Sequence, residues 1–293
     1  MTGCIGVVTV LFNSDDVLPD FFESLARQEE VKYRLYVIDN SKTDSGCRLS
    51  RQLSERYGID SKIIFNNFNG GIARGNNQGI ELAINDDCTH ILLANNDTFF
   101  EDEKILKKML AILEKGLADL ITPKIKYFGT NRIWCAGGRM LDWRGTTRHI
   151  GDGEIDAGQF NKPKYITYAP TCFMMFRKNI LKSKNPMDEK YFVYYDDTDF
   201  IWSSRISGLK LYYMPEGELF HKVSYSTGGD DSDFSVYYMS RNRAYFILKN
   251  LPLFKKIFAL IFLLVTRPLH YRGRFNQVMI ATRDGFKLYF SKT

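Results

Sequence analysis

Two groups of residues in this chain have types and spacing that could do chemistry. The first is Asn95-Asn96-Asp97, which closes the apolar run His90-Ile91-Leu92-Leu93-Ala94. A buried strand ending in a carboxylate puts one charge at the carboxyl edge of a sheet, where open α/β folds bind ligands. A strand-to-helix turn with Asp97 as a cap is the competing reading. The second group is Tyr194-Tyr195-Asp196-Asp197-Thr198-Asp199-Phe200. Its three carboxylates repel one another, and burial raises the pKa of at least one, which suits a general base acting on an alcohol. A solvated helix N-terminus would explain the acids equally, but Tyr191, Phe192 and Trp202 flank them and argue against a wet face. His221 beside Asp97 is a candidate metal ligand, because a hard divalent ion tolerates carboxylate, water and imidazole together.

These residues need elements to position them. The first 125 residues alternate strand and helix signals. Cys4 to Phe12 is a continuous apolar run, as expected of a strand covered on both faces. Leu18, Phe21, Phe22 and Leu25 follow at helical spacing. Strands at Tyr33–Ile38 and Lys62–Phe65, each followed by a helix, lead to the strand that ends at Asn95. A helix over Glu101–Lys115 and a strand over Asp119–Thr122 close the unit. This β-α-β-α order predicts an α/β fold with a mostly parallel central sheet flanked by helices. Four loops then share one edge: Leu11 to Ser14 with Asn13, Asp39-Asn40, Asn69-Gly70-Gly71, and Asn95-Asn96-Asp97. Amides and an Asp can hydrogen-bond a base and ribose, and glycines permit close approach to phosphate. Arg74 and Asn76 open the helix after Gly71, where helix capping with a surface Arg and contact to a diphosphate or sugar are both open. No Gly-x-Gly-x-x-Gly follows the first strand, which weighs against a dinucleotide.

Residues 126–225 begin with a Gly-, Arg-, Trp- and Asp-rich stretch read as strands and loops over a cleft, and include the carboxylate cluster and a strand, Leu209–Met214, closed by Pro215. Residues 226–293 read as a helical, basic extension. The net charge of +6 fits an anionic partner. The basic residues form no aromatic-interleaved stripe, so nucleic acid is not expected. Five scattered cysteines without Cys-x-x-Cys spacing predict neither a zinc site nor a disulfide framework, and point to a reducing compartment. No signal peptide is read at the N-terminus, and no apolar run is long enough to span a bilayer.

Five ordered motifs carry a resemblance to a known family. They are Thr9-Val10-Leu11-Phe12-Asn13-Ser14, Ile38-Asp39-Asn40-Ser41, Asn69-Gly70-Gly71-Ile72-Ala73-Arg74-Gly75-Asn76-Asn77-Gln78-Gly79-Ile80, Asn95-Asn96-Asp97-Thr98, and the run Met187 to Phe200, continuing to Trp202, Gly208 and His221. Over roughly residues 3–250 the chain resembles the inverting glycosyltransferases of family 2, with the GT-A fold, and within them the rhamnosyltransferase-like branch that builds bacterial surface polysaccharides. The resemblance implies a nucleotide-sugar donor held by Leu11, Asn13, Asp39, Asn69, Gly71, Arg74, Asn76, Asn95 and Asn96. It implies Mg2+ or Mn2+ at Asp97, with His221 as a further ligand. Asp197 would be the catalytic base, and Asp199 would support it or orient the acceptor.

The chain departs from the family pattern at Asn96 (commonly Pro), Asp196 (commonly Glu), Ser203 (often Arg) and Thr171-Cys172 (commonly Gly-Ala), near donor sugar and acceptor, and the resemblance implies as donor either dTDP-rhamnose or a UDP-hexose. The acceptor implied is a hydroxyl of a lipid-linked glycan in O-antigen or capsule synthesis. Phe254 to Val265 is strongly apolar and flanked by Lys and Arg: either a buried core helix or an interfacial element on anionic lipid. The expected location is cytoplasmic, peripheral on the inner face of the cell membrane. The rival functions are a sugar-1-phosphate nucleotidyltransferase, which would need a Gly-rich basic loop after the first strand, and a non-catalytic nucleotide- or glycan-binding module.

Overall fold

A computed structural model describes residues 3–222 and 232–291. Strand β1 (Cys4–Leu11) runs through the middle of the sheet, and its side chains alternate between two cores. After it come α1 (Leu18–Ala26), β2 (Lys32–Asp39), α2 (Ser45–Tyr57), β3 (Ser61–Phe65), α3 (Ile72–Asn85), β4 (His90–Ala94), β5 (Thr98–Phe100), α4 (Ile105–Glu114) and β6 (Leu120–Tyr127). The chain continues with β7 (Ile133–Cys135), β8 (Gly138–Leu141), β9 (Thr146–His149), β10 (Lys164–Ile166), β11 (Phe173–Arg177), α5 (Asp196–Ile206) and β12 (Leu211–His221). Helices α6 (Asp233–Asn250), α7 (Leu253–His270) and α8 (Phe275–Phe290) end the chain.

Ten strands form one sheet in the order β10-β12-β6-β11-β4-β1-β2-β3, with β5 on β12 and β7 on β6; β8 and β9 form a separate hairpin. Helices α1, α2 and α4 cover one face through Phe21, Phe22, Leu53 and Leu106. Helices α3, α5 and α6 cover the other through Ile80, Phe200 and Phe246. The α3 glycines serve this packing. A Cβ at Gly75 would lie 2.7 Å from Val10, and one at Gly79 would lie 2.3 Å from Val8. Only glycine lets the helix lie this close to β1.

The sheet is mixed, not mostly parallel as expected. β1 to β4 are parallel, as are β6 and β12, but β11 sits between β4 and β6 antiparallel to both. The cause is local. The chain enters β11 at the edge where β4 ends, with Phe173 opposite Ala94, so it must run back the other way. Pro215 does not close β12. A register irregularity between Met214 and Leu219 absorbs it, and the strand continues to His221.

The division expected at 125/126 falls inside β6, and the one near 225 lies outside the described residues. Lys124 and Lys126 are buried side chains of β6, bonded to Asp156, and they pin the 131–161 excursion to the sheet. All five cysteines are free thiols.

Candidate active site

The carboxyl ends of β1, β2 and β3 are stitched by their own polar groups. The Asn40 amide N–H donates to Leu11 O and that of Asn66 to Asp39 O, both at 2.9 Å. The Asn13 N–H donates to Ser41 Oγ at 2.9 Å, with Asn13 itself at φ 49°. Asn40 Nδ2 reaches Gly71 O at 3.0 Å. Asp39 is fully buried; its Oδ1 accepts from the Ser41 N–H at 2.9 Å, while Oδ2 makes no well-formed hydrogen bond among the described residues, with the Cys47 thiol beside the carboxylate. A buried carboxylate oxygen without a donor is costly, and a ligand hydroxyl or N–H would satisfy it.

Gly71 is the N-cap of α3 at φ 83°. A Cβ there would lie 2.4 Å from Phe192 O, which accepts the Ile72 N–H at 2.6 Å. The Asn69–Gly71 loop and the segment leading into Asp197 therefore touch at this glycine. Asn69 Oδ1 accepts the Gly71 N–H at 3.0 Å, and the exposed Arg74 lies over the Phe68 ring at 4.9 Å.

Asp97 lies between β4 and β5. Because β5 pairs with β12, His221 stands opposite Thr98 and is carried to the Asp97 carboxylate. His221 Nε2 is 3.0 Å from Asp97 Oδ1, but the angles make no hydrogen bond. Asp97 Oδ1 and both His221 ring nitrogens are buried without hydrogen-bond partners among the described residues. Two convergent oxygen and nitrogen donors left unsatisfied in this way fit a divalent cation. No group of three or more His, Cys, Asp or Glu that could hold a metal is found among the described residues.

Asp197 opens α5. Its Oδ2 accepts from the Tyr168 hydroxyl at 2.5 Å, and its Oδ1 from the Thr198 N–H at 2.5 Å and Thr198 Oγ1 at 3.1 Å. Burial raises the Asp197 pKa, and these donors work against that rise. Neighbouring Asp196 is pushed up to about 8, first by burial and then by the Asp197 charge. Burial and the neighbouring carboxylate push Asp196 toward its neutral form, whereas Asp197 has hydrogen-bond donors that favour its charged form. Tyr168 is raised well above its ordinary value by burial and by Asp197, so it stays a donor.

Rings join the two carboxylate stations. His149 stacks on Tyr168 at 5.9 Å, Trp134 lies edge-on to His149 at 4.6 Å, and Trp134 meets His221 at 4.5 Å. Burial lowers the His149 pKa, favouring neutral imidazole. No motif or spacing in the sequence points to Tyr168, His149 and Trp134. Their one visible signal is polar or aromatic type within the excursion and the run before β11.

The segment before Asp197 is strained: Phe192, Tyr194 and Tyr195 have φ of 63°, 60° and 66°. Buried Asn242 on α6 holds it, donating through Nδ2 to Tyr191 O, Val193 O and Tyr194 O at 2.9, 2.7 and 2.9 Å.

Several expected site residues are not brought to the edge. Asp199 lies two positions from Asp197, about 200° round the helix, and so faces away. Its carboxylate is occupied by Tyr191 at 3.0 Å, Asn250 at 2.6 Å and Lys249 at 2.8 Å, tying α5 to α6. The buried Asn76 contacts the Met187 sulfur at 3.5 Å, inside the protein. Asn96 spends its amide on Ser14 Oγ at 2.8 Å and Val10 O at 3.3 Å. Leu11 is a core side chain, with only its carbonyl at the edge. Asn95 is exposed there.

The same architecture occurs in solved glycosyltransferases of the GT-A fold. S. aureus TarS 1–349 superposes with a TM-score of 0.63 at 14% identity, covering 98% of this chain and 81% of that one. The mannosyltransferase PcManGT from Pyrobaculum calidifontis, in complex with GDP-Man and Mn2+, gives 0.62 at 12% identity, covering 100% and 77%. GalNAc-T7 with UDP, GalNAc and Mn2+ gives 0.61 at 14% identity, covering 89% and 54%. No curated protein matches the chain in sequence. The profile of Glycosyl transferase family 2 matches residues 6–183, and the chain belongs to that family.

Proposed function

We propose that the chain is an inverting glycosyltransferase that moves a sugar from a nucleoside-diphosphate donor to an acceptor hydroxyl. The observation that carries this reading is the pair of stations joined by the Tyr168–His149–Trp134 rings: Asp97 with His221, and Asp197 with Tyr168. Asp39 Oδ2 accepts from the base or ribose of the donor, and Asn13, Asn69, Gly71, Arg74 and Asn95 border the diphosphate and sugar. Asp97 and His221 would hold Mg2+ or Mn2+, which would offset charge on the departing diphosphate. Solved structures of this fold with Mn2+ and a nucleotide or nucleotide sugar support that assignment.

Asp197 removes the acceptor proton as the hydroxyl oxygen attacks the anomeric carbon, and the bond to the diphosphate oxygen breaks on the opposite face. Asp196, held neutral, adds no second charge beside the incoming hydroxyl. Asp199 acts on Asp197 only through the position of α5. The donor sugar is rhamnose, carried by dTDP, or a hexose carried by UDP, the latter in keeping with TarS solved with UDP-GlcNAc. The acceptor is a lipid-linked glycan of a bacterial surface polysaccharide, met by a peripheral enzyme at the inner face of the membrane.

Nucleotide sugars screened with Mn2+ and lipid-linked acceptors, with nucleoside diphosphate release as the readout, test the assignment. Release with one donor class, dependent on acceptor, is expected. No release with any pair overturns the reading in favour of a binding module.

A further inference from the structure

The outer face of α7 is apolar from end to end. Phe254, Ile257, Phe258, Ile261, Leu264 and Val265 recur at three- and four-residue spacing and are 42–73% exposed, while Ala259 and Leu263 on the opposite side are buried. A helix needs one apolar face to fold against the protein, and this one has two. An exposed apolar surface of that extent marks an interaction site. Its neighbour α8 packs beside it on α6 and exposes Phe275, Met279, Ile280 and Phe290, interspersed with exposed Arg283 and Lys287, which lie 3.6 and 3.7 Å from the one acid there, Asp284.

Charge identifies the occupant. Residues 251–293 contain eight Lys and Arg and a single acid, Asp284, so the chain's excess of +6 resides here and the remainder is close to neutral. A second copy would bring two such basic surfaces together, which like-charge repulsion opposes. No helix among the described residues is long and apolar enough to cross a membrane. Apolar side chains that lie on a surface, ringed by cations, match an anionic bilayer interface.

The β8–β9 turn extends this surface. Trp143 is 51% exposed and meets Phe262 of α7 edge-on at 5.6 Å, with the Arg144 guanidinium over both rings. Asp142 pairs with Lys255 at 3.0 Å. An exposed indole beside apolar and basic groups is the residue type that settles at headgroup level.

The same turn touches the active site. The Tyr195 hydroxyl donates to Gly145 O at 3.3 Å, one residue before the Asp196-Asp197 pair. At the far end of the hairpin His149 stacks on Tyr168.

We infer that the α7 outer face, the basic face of α8 and Trp143 form a docking surface for anionic bilayers, which seats the acceptor-side carboxylate close above the headgroups. Its consequence for the acceptor, a glycan on a lipid anchor, rests on the proposed transfer reaction; the docking itself does not.

The test is cosedimentation of the full chain with vesicles of phosphatidylglycerol and phosphatidylcholine, or of phosphatidylcholine alone, without donor or acceptor. Binding to the anionic vesicles, weakened by salt, is expected, with a blue shift in tryptophan emission that Trp143→Phe removes. The triple variant Phe254→Ser/Phe258→Ser/Ile261→Ser should keep its melting temperature, because these side chains are exposed, and lose about tenfold or more in binding. Arg283→Gln/Lys287→Gln should lose about fivefold per residue on anionic vesicles only. Equal binding by the triple variant overturns the proposal. So does absence of vesicle binding, whether the chain is monomeric or forms concentration-dependent dimers that the triple variant abolishes.

Discussion

Replacing Tyr168 by Phe should move the pH dependence of transfer without rearranging the site. The Tyr168 hydroxyl donates to Asp197 Oδ2 at 2.5 Å, opposing the rise that burial imposes on that carboxylate. A hydrogen bond to a charged group is worth about 1.5–3 kcal/mol. At about 1.4 kcal/mol per pKa unit, its loss raises the Asp197 pKa by about one to two units. The sign follows from which form is stabilised. The hydroxyl donates to the ionised carboxylate, so without it the base holds its proton to higher pH. The acid limb of kcat/KM should shift alkaline by about that amount, and activity should recover at pH above both limbs. The assay is nucleoside diphosphate release at subsaturating acceptor across a pH series, for wild type and variant. A limb that stays in place, or moves to lower pH, refutes the role given to Tyr168. A uniform loss at every pH would mean that the phenol acts on something other than the base.

Three further outcomes are expected. Asp196→Asn should flatten the pH dependence of stability: the folded-state pKa is raised from 3.8 to about 8, so the protein loses stability as pH rises through that window, and urea melts at pH 5 and 9 would show the variant losing less than wild type. Asn242→Ala removes the side-chain donor from Val193 O and Tyr194 O of the strained segment, while Tyr191 O keeps the Val193 N–H and Arg241, and should cost about 1–3 kcal/mol by denaturant melt, together with a fall in kcat; unchanged stability would remove α6 from the account. Asp97→Ala should abolish any strengthening of donor binding by Mn2+ in calorimetry, and Mn2+ alone should bind wild type weakly, because the described residues offer it only Asp97 and His221; tight binding of Mn2+ to the free protein would contradict this.

The sheet was legible where hydrophobic pattern alone decides structure. The apolar runs of β1, β2 and β4 are covered on both faces, so they read as strands without knowledge of their partners. β11 was not legible as an antiparallel insertion, since apolar residues report burial and not direction. Pro215 looked like a strand end because the irregularity that accommodates it depends on pairing with β6.

At the site, a motif shows that a residue matters but not which way it faces. Asp97, His221, Asp39 and Asp197 reach the edge or its partner loops, whereas Asn76, Asn96 and Asp199 occupy equally distinctive positions and spend their polar groups inside the protein. Tyr168, His149 and Trp134 were invisible for a different reason: the contacts that define them are made across the fold, as with Tyr168 and Asp197, 29 residues apart. The apolar stretch of α7 could be read as core or as interface, and only its packing on α6 separates the two faces.

The most direct test of the central claim is the turnover of Asp197→Asn with the donor's dissociation constant measured on the same preparation. If Asp197 is the base, kcat falls by about 10²–10⁴-fold while donor affinity and melting temperature stay at wild-type values. Turnover close to wild type, with inversion retained, would contradict the account and move the base elsewhere.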